Sequence, residues 1–203
     1  MAVLFPDVST MSDTPISLLE RLRRHPDGEA WRRLVDLYTP LIRSWIARQG
    51  VPAADVEDVS QEVLAVVVKE LPQFEHNAHA GAFRLWLRQI AVNRLRTYWR
   101  QQAGPLGQNT AAIEASLVLL QDSDSDLGRL WDREHDEWIV ARLLQTLEPE
   151  FEPATWQAFR RHVLDGHSTA EVAAELGTTP NAVRIAKSRV LTRFRQEAAG
   201  LVE

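Results

Sequence analysis

The chain has 203 residues, a formal net charge of −5 and no cysteine. This length accommodates one large or two small domains, and the missing cysteine excludes disulfides, thiolate zinc sites and cysteine nucleophiles. The sequence has no apolar run of the ~18 residues that a membrane span needs, and no basic region precedes the short apolar stretch near its N-terminus. We therefore expect a cytoplasmic protein that neither enters a membrane nor carries a cofactor.

The N-terminal half predicts helices and no strands. Residues 1–15 are expected to form a loose, disordered tail, and residues 16–102 a helical domain. Apolar residues at three- and four-residue spacing predict an amphipathic helix over residues 29–49, with a kink or a break at Pro40 because proline has no N–H to donate.

Two further helices complete this predicted domain. Regularly spaced valines predict a helix from Asp55 to Leu71, and apolar spacing predicts a long helix from Phe83 to about Gln102. The second of these carries five arginines and no acid between Arg84 and Arg100. Local charge of this kind decides phosphate binding, so the negative net charge does not argue against a nucleic-acid partner.

A change of composition separates the two halves of the chain. Gly, Pro and amide side chains and then a run of acids predict a flexible acidic linker over residues 103–128, with a helical piece near Ile113 to Leu120. Helices resume at about Leu130, and residues 129–203 are expected to form a second domain. The predicted fold class is all-α, with two small helical domains.

The second domain ends in the pattern of a helix-turn-helix. Ser168 and Glu171 have the spacing of a capping box that begins a helix. Gly177 ends that helix, because glycine enters the left-handed conformation without strain. Thr178 or Thr179 then caps a basic helix that has Pro180 at its first position.

The basic helix has one apolar and one polar side. Val183, Ala186, Val190 and Phe194 recur at core spacing, whereas the opposite side carries cations and small polar groups. The first residues of a recognition helix meet base edges and later ones meet phosphates. The DNA-binding residues predicted here are Thr179, Asn181, Arg184, Ser188, Arg189 and Arg195.

Two segments together resemble one protein family. Residues 55–63 followed by residues 83–94 closely resemble conserved region 2 of the extracytoplasmic-function (ECF) sigma factors of bacterial RNA polymerase, and residues 143–197 look like region 4 of that family. The resemblance covers about 29–102 and 137–197, in the family's order, with a variable linker between them.

The resemblance implies a function and a set of partners. Such proteins bind core RNA polymerase, direct it to promoter DNA, read the upstream element with region 4, and read and melt the downstream element with region 2. They carry out no catalysis of their own. We expect a monomer, and an anti-sigma protein is a further candidate partner.

The resemblance also assigns roles to residues of region 2. An acidic face of the helix after Asp55 would dock on the polymerase, and acids suit a basic partner; its residues are Asp55, Asp58, Gln61 and Glu62. A polar flank of the next helix would contact the downstream element, because amides and arginines read base edges and hold phosphates; its residues are Arg88, Gln89, Asn93, Arg96 and Arg100.

Several points remain open in the sequence. Tyr98 and Trp99 suit either stacking on an exposed base or packing against the first helices. Thr97 stands where the family often has aspartate, and the loop over residues 75–82 looks longer than in many members, so the promoter sequence cannot be transferred from the family.

Three rival functions remain to be weighed. The main one is a two-domain helix-turn-helix regulator that does not bind core polymerase, which would dimerise on paired half-sites. A diverged protein that docks on polymerase without melting promoters is another, raised by Thr97. His76 and His79 suggest a metal site, but no third ligand is evident, and no motif supports an enzyme.

Overall fold

A computed structural model describes residues 17–24, 28–74, 81–102 and 110–202. Within these ranges the chain is helical, with one isolated bridge between Ala199 and Val202 and no strand. The helices are α1 (Leu18–Arg24), α2 (Gly28–Arg48), α3 (Val56–Glu70), α4 (Ala82–Gln102), α5 (Thr110–Gln121), α6 (Asp126–Leu147), α7 (Pro153–Phe159), α8 (Thr169–Glu175) and α9 (Pro180–Ala198). The predicted all-α fold with two helical domains is confirmed.

Helix α2 runs through Pro40 without a break. The predicted break is therefore absent, whereas the alternative of a kink stays a prediction. The turns on either side of the proline are anchored, because Tyr38 and Ile42 are almost fully buried, whereas Pro40 itself is exposed. The stabilisation from packing of the apolar stripe thus exceeds the cost of the backbone hydrogen bond that is missing at Pro40.

The valine stripe of α3 and the apolar stripe of α4 meet in the core of the N-terminal domain. Val59, Val63 and Val67 are buried on α3, and Phe83 and Leu87 are buried on α4. Because these stripes occupy one side of each helix, the acidic flank of α3 faces outward, and the polar flank of α4 lies to the side of its buried stripe.

The described part of the segment predicted as a flexible linker, residues 110–128, is structured, whereas residues 103–109 lie outside the described residues. It contains α5, which extends the predicted helical piece to Thr110–Gln121, and a short turn that leads into α6. Leu117 and Leu120 of α5, and Trp131 and Ile139 of α6, belong to the same buried cluster as the N-terminal helices. The two domains therefore pack on each other through α5 and α6.

Helix α6 bridges the two domains because its two ends bury side chains in different places. Its first half contributes Trp131, whose ring lies 4.4 Å from that of Trp45 on α2. Near its other end Leu144 packs against the cluster of Trp156, Phe159 and Val190 in the C-terminal domain. No helix in the described residues is long and apolar enough to span a membrane.

Candidate nucleic-acid interface

The helix-turn-helix forms as the sequence predicts. Ser168 Oγ accepts from the backbone N–H of Glu171, and the Glu171 carboxylate accepts from the backbone N–H of Ser168 at 2.8 Å, which is a capping box. Gly177 has φ +62° in the turn. Thr179 is the cap of α9: its hydroxyl oxygen accepts from the backbone N–H of Ala182 at 3.2 Å. These caps fix the direction in which α9 leaves the turn.

All six DNA-binding residues predicted for α9 and its cap are exposed to solvent. Val183, Ala186 and Val190 are buried against the rest of the domain, so the opposite side is uncovered. The exposed predicted residues are Thr179, Asn181, Arg184, Ser188, Arg189 and Arg195. Among the described residues none of these arginines has an ion-pair partner, so their charges are available to phosphates.

One arginine of α9 has a structural role instead. Arg193 pairs with Glu150 at 2.7 Å and with Glu197 at 2.9 Å. The buried Glu197 carboxylate also lies 3.0 Å from Arg33 of α2. Burial opposes the charge of Arg193, but hydrogen bonds to both carboxylates raise its pKa overall. This network ties α9 to the N-terminal domain and removes Arg193 from the basic face.

The polar flank of α4 carries four of the residues predicted for the downstream element: Gln89, Asn93, Arg96 and Arg100. Asn93 and Arg100 are exposed, and Gln89 and Arg96 are half-buried. The Gln89 amide donates to Asn93 Oδ1 at 3.0 Å, and Arg100 donates to the Thr97 hydroxyl at 3.2 Å. The structure thus brings these four residues together on one face, as the spacing predicts.

Arg88 does not share that face. Its side chain is buried and donates to the Gly128 carbonyl and to Asp132, both at 3.2 Å, and to the Ser123 hydroxyl. Burial lowers the pKa of Arg88, an effect that Asp132 opposes. In this conformation Arg88 holds α4 to α6 and is not placed to contact DNA, which spacing along α4 alone does not reveal.

The acidic face of α3 is mostly open to solvent. Asp58, Gln61 and Glu62 are exposed on one side of the helix. Asp55 differs, because it is half-buried at the start of α3 and accepts a 2.6 Å hydrogen bond from the Tyr98 hydroxyl of α4. The Gln61 amide donates to the Glu57 carboxylate at 3.1 Å. Among the described residues, Asp58 and Glu62 are therefore the two predicted polymerase-binding residues with uncommitted side chains.

Tyr98 and Trp99 pack inward in this conformation. Tyr98 is buried, and its ring lies 5.1 Å from that of Trp99. Burial first, and then the hydrogen bond to Asp55, raise the pKa of Tyr98 to about 12. Of the two interpretations open in the sequence, packing against the neighbouring helices is the one the structure shows.

The spacing of residues along the sequence does not predict a buried polar network that lies between α4 and α6. Arg84 lies 3.0 Å from Asp132 and 2.6 Å from Asp136. His135 is fully buried, with Nδ1 2.9 Å from Asp136 and Nε2 3.3 Å from the Tyr38 hydroxyl. Burial lowers the pKa of His135, although Asp136 opposes the shift. The signal was present in the complementary charges of the two segments, arginines before residue 100 and acids after residue 114.

No metal centre supports a catalytic interpretation of the described residues. No group of three or more His, Asp or Glu side chains there has the arrangement of metal ligands. His76 and His79, together with most of the loop over residues 75–82, lie outside the described residues.

The described residues combine an outward basic helix of a helix-turn-helix, a polar arginine-bearing helix face and an exposed acidic helix face, an arrangement typical of a DNA-binding transcription factor. Comparisons with known proteins agree. Residues 34–104 match the Sigma-70 region 2 family, and residues 152–194 match the Sigma-70 region 4 family. The chain belongs to the ECF sigma factors of RNA polymerase, the family of the relatives that follow.

Three relatives illustrate the similarity. The ECF RNA polymerase sigma-E factor of Escherichia coli is 30% identical over 171 residues, which cover 82% of this chain and 85% of that protein. The sigma-E factor of Salmonella typhimurium has the same identity and coverage. The ECF RNA polymerase sigma factor RpoE of Cereibacter sphaeroides is 25% identical over 182 residues, 86% of this chain and 92% of that protein. Membership of this family confirms the predicted sigma-factor function.

Proposed function

We propose that the chain directs core RNA polymerase to promoters through three separate surfaces and has no catalytic activity of its own. The observation that carries this function is the presence of both sigma regions, in order, in one chain. A helix-turn-helix regulator that does not bind polymerase requires only the second region, so the match to region 2 disfavours it.

The polymerase-binding surface is the exposed acidic face of α3. Asp58 and Glu62 project from the side of α3 opposite its buried valines. Their carboxylates favour a basic partner surface and steer its approach. Asp55 supports this face indirectly, since its carboxylate is held by Tyr98 and helps position the start of α3.

Promoter DNA is read at two places. Asn181, Arg184 and Ser188 lie toward the start of α9 and would enter the major groove at the upstream element, whereas Arg189 and Arg195 would hold phosphates. At the downstream element the polar flank of α4 would serve, with Asn93 and Arg96 as its central pair. Arg88 is left out of this assignment because it is buried.

Charge reversal tests the polymerase surface. The full-length protein and core RNA polymerase should migrate together on a sizing column, and Asp58→Lys with Glu62→Lys should abolish this co-migration. Glu137→Lys with Glu152→Lys is the matched control, because it changes the charge equally at exposed acids outside α3. Failure of the wild-type chain to bind core polymerase, or equal loss in both double variants, would contradict the assignment.

Alanine substitution tests the upstream surface. Arg184→Ala should weaken binding of the polymerase complex to promoter DNA by about 1–3 kcal/mol if Arg184 contacts a base edge, while leaving polymerase association unchanged. Arg133→Ala removes an exposed arginine outside the helix-turn-helix and provides the control. Equal losses in the two variants would show only a general effect of charge.

A further inference from the structure

Helix α5 lies against the polar flank of α4 and occupies its hydrogen-bonding groups. The Glu114 carboxylate accepts from Arg96 Nε at 2.9 Å, and Gln121 Oε1 accepts from Arg96 Nη1 at 3.1 Å. The amide of the same Gln121 donates to Gln89 Oε1 at 2.5 Å. Two of the residues assigned to the downstream element are thus already bound by this chain.

Apolar burial fixes α5 in this position. Leu117 and Leu120 are 1% and 0% exposed, and Ile113 packs against the same core as Trp99. Removal of these two leucine side chains from water stabilises the packing of α5 on the core. The polar contacts with α4 are therefore made by a helix that is seated in the core.

The turn after α5 binds Arg88 of α4. Ser123 and the Gly128 carbonyl accept from Arg88. A Cβ at Gly128 would lie 1.9 Å from the Asp122 carbonyl oxygen, so only glycine allows α6 to start this close to the turn. The same short turn that joins α5 to α6 thereby withdraws Arg88 from solvent.

We propose that α5 is an internal cover that competes with promoter DNA for the polar flank of α4. The proposal rests on the function assigned to that flank above. The Glu114 carboxylate binds Arg96 with the charge that a phosphate would bring, and Gln121 offers Gln89 the amide chemistry of a base edge. DNA contact at Gln89 and Arg96 requires that α5 leave.

The cover does not extend to the polymerase-binding surface. Asp58, Gln61 and Glu62 remain exposed while α5 is in place. Polymerase docking on α3 therefore does not require movement of α5, whereas DNA contact on α4 does.

Charge reversal at Glu114 tests the cover. The probe is a fluorescein-labelled single-stranded DNA of random sequence, about 16 nucleotides long, and its anisotropy is measured with the full-length protein. Glu114→Lys repels Arg96 and should tighten binding about tenfold relative to the wild type. Asp126→Lys is the matched control, since it adds the same charge at a fully exposed acid that does not contact α4, and it should change binding less than about twofold.

A cross-link distinguishes two explanations of tighter DNA binding by Glu114→Lys: movement of α5 away from α4, and the added positive charge alone. Gln49 and Ser116 line one surface groove between α2 and α5, and the chain has no cysteine of its own. Gln49→Cys with Ser116→Cys, in the Glu114→Lys background, allows a short bis-maleimide to hold α5 in place. Binding of the DNA probe should return to the wild-type level after cross-linking and remain tight before it.

The outcomes distinguish this inference from the proposed function. If Glu114→Lys and Asp126→Lys bind the probe equally, or if the cross-linked protein still binds tightly, α5 is not a cover. Run-off transcription by core polymerase with the wild-type chain is measured in parallel. If the wild-type chain supports transcription but Glu114→Lys binds the probe with wild-type affinity, the cover alone is refuted. If the wild-type chain neither binds polymerase nor initiates transcription, the proposed function is refuted, together with the inference that rests on it.

Discussion

Replacement of Asp132 by asparagine should destabilise the packing of α6 on α4. The Asp132 carboxylate lies 3.0 Å from Arg84 Nε and 3.2 Å from Arg88 Nη1, and these two arginine side chains are only 8% and 3% exposed. Without the carboxylate, two buried guanidinium groups would face each other. Desolvated cations that lose their counter-charge are costly, because water cannot replace it.

The loss in the free energy of unfolding depends on the partners that the two arginines keep in Asp132→Asn. Loss of one partner of a buried ion pair costs about 3–5 kcal/mol. Asp136 still pairs with Arg84, and the Gly128 carbonyl still accepts from Arg88, so a loss of about 2–3 kcal/mol in the free energy of unfolding is expected. With an m-value of about 2–3 kcal/mol per molar urea, the midpoint should fall by about 1 M.

Urea titration followed by tryptophan fluorescence is the assay. The Trp45 and Trp131 rings are 4.4 Å apart at the contact of α2 with α6, so their emission reports on the affected packing. Asp126→Asn removes an acid of α6 that is fully exposed, and its midpoint should match that of the wild type. An unchanged midpoint for Asp132→Asn, or the same shift in both variants, would refute the role given to the buried network.

Three further predictions concern backbone strain and titration. Gly177→Ala should lower the free energy of unfolding by about 1 kcal/mol, because φ is +62° and the added methyl meets no atom within 4 Å, so that strain acts alone; an unchanged urea midpoint would contradict this. Burial lowers the pKa of His135 despite its bond to a carboxylate, so the unfolded chain takes up a proton that the folded chain resists, and stability should fall as pH drops below about 6.5. The loss in the free energy of unfolding on acidification should be smaller in His135→Asn. Equal losses in this variant and the wild type would refute the role given to His135. Burial raises the pKa of Tyr98 to about 12 and that of Tyr38 well above its ordinary value, so the folded protein should show no phenolate absorbance near pH 10, whereas the urea-unfolded chain should titrate there.

The elements follow from the sequence wherever one local rule suffices. The capping box at Ser168, the left-handed Gly177 and the threonine cap before Pro180 each depend on neighbouring residues, and all three are present in the structure. The valine spacing of α3 likewise predicts its buried side. Pro40 shows the limit of a local rule, because core contacts far along the chain keep α2 continuous.

The predicted site residues also differ in whether local spacing or contacts with other helices determine their placement. Spacing identifies the outward side of α9 and the exposed part of the α3 face, since an amphipathic helix determines which residues point away from its own apolar stripe. It misplaces Arg88, which leaves the outer surface because Asp132 and the Gly128 carbonyl come from a different helix. It also leaves Tyr98 undecided until the hydrogen bond to Asp55 appears.

Most of the helices, the capping box, the family and the order of the two regions can be inferred from the sequence, because they depend on local spacing and on motifs along the chain. The contacts of the acidic segment cannot, since packing folds it back so that Glu114 and Gln121 bind Arg96 and Asp132 lies between two buried arginines. Ion pairs form between whichever charges packing brings within a few ångströms. Composition shows that complementary charges exist, but only the packing of α5 and α6 shows which of them meet.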